Sequence, residues 1–346
     1  MSRHLSHPRV RRGLRWLRGA AVAATVLAVV AVLSAATGLR MEYAGRPEAA
    51  GRTRGHDALW LGHAWVDGRR TPADLALLAR RVRGTGIHDL YVHTGPLDHD
   101  GGLDPGLYPG AATLLTDLHR VLPGVRVQAW LGDKVSHDGR PGLRLDDAAV
   151  RARIRDSAGQ ILDAGFQGVH LDLEPVTSGD PGYLKLLDAV HALTAGRGVP
   201  LSAAAPQIDP LPDLHSASGL LFDHPKWWSQ AYFGQVARRV DQIAVMAYDT
   251  SMPLRSLFGG YVAQQTGLAL AVTPAATDLL IGLPAYHTDN MGHHASAETV
   301  AAAVRGARVA LARDDRSRPA FGLALYVDFT ATAGDWAAYR SGWGTR

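Results

Sequence analysis

From Ala58 onward, short apolar runs of strand length alternate with longer stretches in which apolar residues recur every three or four positions. That alternation argues for parallel strands joined by crossover helices, because a buried strand and an amphipathic helix impose different apolar periods. Eight runs read as strands: residues 59–66, 87–93, 125–131, 168–174, 201–206, 242–248, 279–284 and 321–327. Helical periodicity fills the intervals, including 72–82, 146–164, 183–195, 227–240 and 297–312. Eight strand-helix units over residues 57–346 give roughly 36 residues per unit, which suits an α/β fold of the (β/α)8 type, the TIM barrel, at a typical total of about 250 residues. An open doubly wound sheet competes with it. That architecture usually carries a glycine-rich phosphate turn after its first strand, and neither GxGxxG nor GxxxxGK[ST] occurs here.

A different pattern opens the chain. Residues 19–39, GAAVAATVLAVVAVLSAATGL, carry no charge, and as a helix they span roughly the 30 Å hydrocarbon layer of a bilayer. Arg3, Arg9, Arg11, Arg12, Arg15 and Arg18 precede them, so the positive-inside rule keeps the basic tail, residues 1–18, in the cytoplasm and sends the body out. Two readings stay open, a retained transmembrane helix and a signal peptide cleaved near Ser34-Ala35-Ala36. Arg11-Arg12 is a weak twin-arginine cue, and Trp16 falls at the membrane boundary, where tryptophan is expected. The expected location is the cell membrane, single-pass with the folded domain outside the cytoplasm, or the medium if the segment is cleaved. Residues 40–56, rich in Gly, Arg, Ala and Pro, read as a flexible linker to the domain at 57–346.

Composition then removes several chemistries. The 346 residues carry a formal charge of +4, yet residues 1–40 hold seven Arg and no acid, which leaves −3 on the remainder. The body is therefore mildly acidic, and no nucleic-acid partner is expected. The absence of cysteine excludes disulfides, cysteine-ligated metal, a thiol nucleophile and a lipoprotein anchor.

The fourth candidate strand carries the most chemistry. In Gly168-Val169-His170-Leu171-Asp172-Leu173-Glu174 the alternation places Val169, Leu171 and Leu173 on one face and His170, Asp172 and Glu174 on the other. In a barrel the apolar set faces the helices, which aims the two carboxyls inward at the strand's C-terminal end, where such barrels keep their active sites. Crowded, partly desolvated carboxyls have pKa values pushed apart, so one stays protonated while its neighbour is an anion.

On these residues the chain resembles glycoside hydrolase family 18, the chitinase-like enzymes, whose fourth strand carries DGxDxDxE. Here Gln167 and His170 stand in place of the first two aspartates, while Gly168, Asp172 and Glu174 keep theirs. Met246-Ala247-Tyr248-Asp249 looks like the family's MxYD, and Gly282-Leu283-Pro284-Ala285-Tyr286 like its GxPxY. The family's SxGG appears as Ala129-Trp130-Leu131-Gly132, and its strand-eight tryptophan as Tyr326.

The resemblance implies retaining, substrate-assisted hydrolysis of N-acetylglucosamine-containing glycans, in which the sugar's 2-acetamido oxygen is the nucleophile. It implies Glu174 as general acid and base, Asp172 as the group orienting the acetamide, Tyr248 as its hydrogen-bond donor and Asp249 near the same sugar. His170 has three readings: a cation favouring ionised Asp172, a neutral acceptor of a shared proton, or a satisfied barrel histidine. Aromatic platforms for the sugar are sought in Tyr326, Tyr286, Trp130 and Trp60. For Trp60, as for Trp65, a core role competes, and Trp227-Trp228 reads as helix packing.

Two alternatives accompany the glycosidase. One is a chitinase-like carbohydrate-binding protein without turnover, suggested by the two replaced acids. The other is a metal-dependent barrel hydrolase, drawing on His63, His93, His287, His293 and His294, although neither HxH nor HExxH occurs. No metal and no cofactor are expected. A serine nucleophile lacks its GxSxG elbow, and a protein carboxylate nucleophile lacks a Glu at the end of the seventh strand.

Overall fold

The computed structural model describes residues 8–48, 51–216 and 226–345, with side chains from Trp16 onward. The side chains of the first five arginines, including the twin pair, lie outside the described residues. Strands β1 (Asp57–Leu61), β2 (Ile87–Pro96), β3 (Arg126–Lys134), β4 (Val169–Glu174), β5 (Leu201–Ala205), β8 (Gln242–Val245), β9 (Asp278–Pro284) and β10 (Phe321–Tyr326) pair in parallel and close into one barrel. A separate two-stranded sheet joins β6 (Gln207–Ile208) to β7 (Trp227–Trp228). The helices include α1 (Pro8–Ala44), α2 (Pro72–Val82), α3 (Ala111–Val121), α4 (Ala148–Asp163), α5 (Pro181–Gly196), α6 (Gln230–Ala237), α7 (Arg255–Leu270), α8 (Val300–Asp314) and α9 (Ala333–Gly342).

Short polar residues start most of the crossover helices. Thr71, Asp147, Asp180, Ser229, Thr299 and Thr332 each accept a backbone N–H of the first turn, and Thr71 and Thr332 complete capping boxes with Asp74 and Asp335. The outward faces of the strands, Val169, Leu171 and Leu173 among them, pack with the helices in the main core. A smaller cluster inside the barrel holds Ala58, Trp60, Tyr91, Ala244, Leu280, Ala324 and Val327.

Three expected elements come out differently. The first strand stops at Leu61, because Asp328 accepts the Gly62 N–H and the Trp65 indole and draws residues 63–65 into a 3-10 turn. The sixth ends at Val245 rather than at Tyr248. Trp227-Trp228 are not helical; they pair with Gln207-Ile208, and the helix begins at Gln230 under its Ser229 cap.

The N-terminal helix also runs further than its apolar stretch. A candidate membrane span covers Trp16–Ala44, and its last turns pack along α7. Gly259 and Gly260 make this approach: a Cβ on the first would strike the Tyr43 ring, and one on the second the Leu39 carbonyl oxygen. Arg305 then donates to the carbonyl oxygens of Tyr43 (3.3 Å) and Gly45 (3.1 Å), and Thr53 N–H to Trp343 O (2.8 Å). The described part of residues 40–56 is thus a fitted strap, not the flexible linker its composition suggests, because its arginine-clasped backbone carbonyls outweigh its glycine content.

Candidate active site

The lower barrel interior is a hydrogen-bonded polar network in which Gln128 Oε1 is left without a partner among the described residues. Asp89 receives Arg126 through two bonds (2.6 and 2.9 Å), the Gln128 amide (2.8 Å) and the Gln242 amide (3.2 Å). Burial alone would raise this carboxyl, but His88, Arg126 and Gln128 hold it down at about 2. Tyr91 donates to Gln242, and Ser202 donates to Tyr91 (3.3 Å).

One level up, burial lowers His170 to about 3, so its imidazole is neutral. The Trp60 indole donates to Nε2 at 3.1 Å, which puts the ring proton on Nδ1, toward Ser202 Oγ at 2.8 Å. Tyr91 stacks on the same ring at 3.8 Å. With His170 at 0% and Trp60 at 1% exposure, neither can touch a ligand. Both stood among the expected sugar contacts, and both belong to the scaffold. His170 has spent both nitrogens on Ser202 and Trp60, so it neither charges nor accepts a proton from Asp172.

The mouth above is built differently. Residues 172 to 174 extend past the pairing of β4 with β5, which ends at Leu171–Ala203, so the carboxyls stand at a notch in the barrel rim. Glu174 is open to solvent and Asp172 half-buried, with protein on most sides of both. Burial first, then the Asp172 charge and a hydrogen bond to it, then the Asp249 charge, push the Glu174 carboxyl well above the usual carboxylic-acid range. Burial also raises Asp172, but hydrogen bonds with Glu174 and Trp130 oppose the rise. The pair therefore shares one proton, carried by Glu174 and donated to Asp172. Among the described residues Asp172 Oδ1 and Trp130 Nε1 are buried without a closed hydrogen bond; the indole leans toward the carboxylate and favours its charge.

Aromatic rings wall this notch. Tyr248 stacks on Tyr326 (5.4 Å, 22°), Tyr286 stands edge-on to both (6.0 and 5.9 Å), and Trp130 lies 6.3 Å from Tyr326. A Cβ at Gly282 would come within 2.9 Å of the Tyr248 ring, so the glycine of the strand-seven motif makes room for the tyrosine of the strand-six motif. Burial pushes the Tyr248 hydroxyl well above its ordinary value and Tyr326 to about 12, so both remain donors. Asp249, on the rim at a positive φ of 56°, accepts the Tyr286 hydroxyl at 2.5 Å. The barrel thus gathers Asp172, Glu174, Trp130, Tyr248, Tyr286, Tyr326 and Asp249 at one end and leaves His170 and Trp60 beneath. An acid beside an anion, an unused carboxylate acceptor and tyrosine donors can protonate a leaving oxygen while holding an amide.

No known family model matches the chain, and no curated protein matches its sequence. Solved structures do. A chitinase from Chromobacterium violaceum is similar at 15% identity and a TM-score of 0.56, over 82% of this chain and 98% of that one. A spore cortex-lytic enzyme from Bacillus megaterium gives 12% and 0.58, over 87% and 77%. A Group IV chitinase from Ostrinia furnacalis gives 15% and 0.56, over 83% and 98%. At these identities the likeness is one of fold. The chain has the barrel of the chitinases and spore cortex-lytic enzymes.

The sequence reading missed the floor network and two groups at the rim, His293 as a partner of Asp249 and Glu298 altogether. The floor had a signal. Asp89, Tyr91 and His93 alternate on β2 as Gln128 and Trp130 do on β3, the same inward period that singled out β4. Glu298 had none, since it meets Asp249 across 48 residues of loop-rich chain.

Proposed function

We propose that this protein is a glycosidase of N-acetylglucosamine-containing glycans, with Glu174 as general acid and base. The proton-sharing pair at the notch carries the reading. A carboxyl whose pKa is pushed well above the ordinary carboxylic-acid range, and which stands open to solvent and adjoins an anion, is what protonation of a glycosidic oxygen requires, an assistance typically worth about 10² to 10⁴ in rate. Asp172 is hydrogen-bonded to Glu174, so it cannot stand across the sugar as a separate nucleophile; two-carboxylate glycosidases hold their pair about 5 Å or more apart on opposite sides. The nucleophile is then the substrate's own 2-acetamido oxygen. Asp172, half-buried beside Glu174, orients the acetamide, and Tyr248 donates to its oxygen. Kinship of fold with chitinases and cortex-lytic enzymes supports the choice of N-acetylated glycans.

The unbroken helix from Pro8 to Ala44 and its fit to Gly259 and Gly260 support a retained, single-pass anchor with the barrel outside the cytoplasm. In detergent-solubilised full chain, Glu174→Gln is expected to abolish cleavage of N-acetylglucosamine oligosaccharides and peptidoglycan fragments while sparing binding. Wild-type protein that binds these glycans and cleaves none would sink the enzyme in favour of a carbohydrate-binding protein. The same preparation tests the anchor: mature chain in the membrane pellet with residues 1–36 intact supports it, and soluble chain starting after Ala36 overturns it.

A further inference from the structure

Beside the carboxyl pair, the loops after β8 and β9 bring together three groups that the proposed hydrolysis does not require as a set. His293 is 0% exposed, and its Nδ1 lies 3.5 Å from Asp249 Oδ1 and 3.4 Å from Glu298 Oε2. Those separations exceed the ordinary 2.7–3.2 Å of an N–H···O bond, and neither ring nitrogen has a hydrogen-bond partner among the described residues. A buried imidazole orphaned on both sides calls for a physical cause.

We propose that Asp249, His293 and Glu298 bind one divalent cation of the zinc class. With metal-donor bonds of about 2.0–2.2 Å in a tetrahedron, neighbouring donor atoms lie about 3.3–3.5 Å apart, the spacing found from His293 Nδ1 to each carboxylate. The three donors all fall within 4.8 Å of one another. The set is one imidazole and two carboxylates. That mixture suits zinc(II) better than calcium or magnesium, which prefer all-oxygen shells. Asp249 is 54% exposed, so the fourth position opens toward solvent and takes water.

The supporting shell is in place. Thr250 gives Glu298 Oε1 both its backbone N–H and its hydroxyl at 3.1 Å, and Tyr286 fixes Asp249. Ser251 ties the two loops by N–H to Gly292 O and hydroxyl to Met291 O, each 2.8 Å. Lys226 donates to the Asp249 carbonyl oxygen at 3.1 Å. A bound ion would offset the charge of the two carboxylates and set Asp249 and Tyr286 at the rim of the notch.

The test needs no glycan and so stands apart from the glycosidase reading. Tag-free full chain in detergent, stripped with a chelator, is titrated with zinc chloride by calorimetry and with cobalt(II) by visible absorption. One zinc equivalent, a raised Tm and a tetrahedral cobalt band are expected. Asp249→Asn, at an exposed position that does not threaten folding, and Glu298→Gln should each weaken zinc binding at least about 100-fold, beyond the 10- to 100-fold typical of losing a supporting residue. Wild type that takes up no stoichiometric zinc, or variants that bind it as tightly as wild type, would overturn the site.

Discussion

The floor and the mouth of this barrel both carry polar side chains, yet they serve opposite ends. On the floor Asp89, Arg126, Gln128, Gln242, Tyr91, Ser202 and His170 form a continuous hydrogen-bonded chain, with Gln128 Oε1 alone of their buried side-chain atoms lacking a partner among the described residues. At the mouth Asp172 Oδ1 and Trp130 Nε1 have no closed bond, and Glu174 shares its proton with an anion. Satisfied buried polarity rigidifies a fold, whereas unsatisfied polarity is held ready for a ligand. Polarity alone does not identify a site; unspent hydrogen-bonding capacity beside an open rim points to one.

The largest expected effect tests the floor by pH. His170 is held at about 3 against an ordinary 6.5, so the unfolded chain binds its proton more tightly than the folded one. The associated stability is complete above pH 6.5 and is lost as pH falls toward 3, a total of about 4–5 kcal/mol from the shift alone. Unfolding curves of wild type and His170→Gln should converge by that order between pH 7 and pH 3; parallel curves would mean that the imidazole is not held neutral. Next, Arg126→Met takes the bidentate cation from the buried Asp89 carboxylate and leaves it His88 and two amides. Because Arg126 is partly exposed, the loss should fall near the lower end for such pairs, about 3 kcal/mol in denaturant unfolding. Glycan turnover by the folded fraction should hold, and a fall in kcat at full stability would erase the division between the two regions.

The smallest effect sharpens the mouth. Asp172→Asn removes the charge that helps keep the proton on Glu174, so the Glu174 pKa falls and the alkaline limb of kcat/KM moves to lower pH. Deprotonation of the acid ends activity on that side, which fixes the sign. An unmoved limb with lowered kcat would show that the proton belongs to another group.

Period-two alternation made β4 legible, and order along the chain carried the strand-six and strand-seven motifs to the same end of the barrel. The same rule misled at His170: inward direction is periodic, but height in the barrel depends on register with neighbours. His170 lies beside Trp130 and Ser202, two residues below Asp172, and that step separates a sealed layer from the open rim. The linker misread has a parallel cause. Composition rates the flexibility of a free chain, whereas the carbonyls of 43–48 are held by Arg305 and Arg308 some 260 residues away.

The sequence by itself determined the alternation of strand and helix, the apolar N-terminal helix and the carboxyl pair on one strand face, because each follows from local period and residue chemistry. Tertiary structure alone decided which inward groups are sealed and which are reachable, and brought Asp249, His293 and Glu298 within reach of one another. Those outcomes depend on distances between segments far apart in the chain, which barrel closure sets and no local pattern encodes.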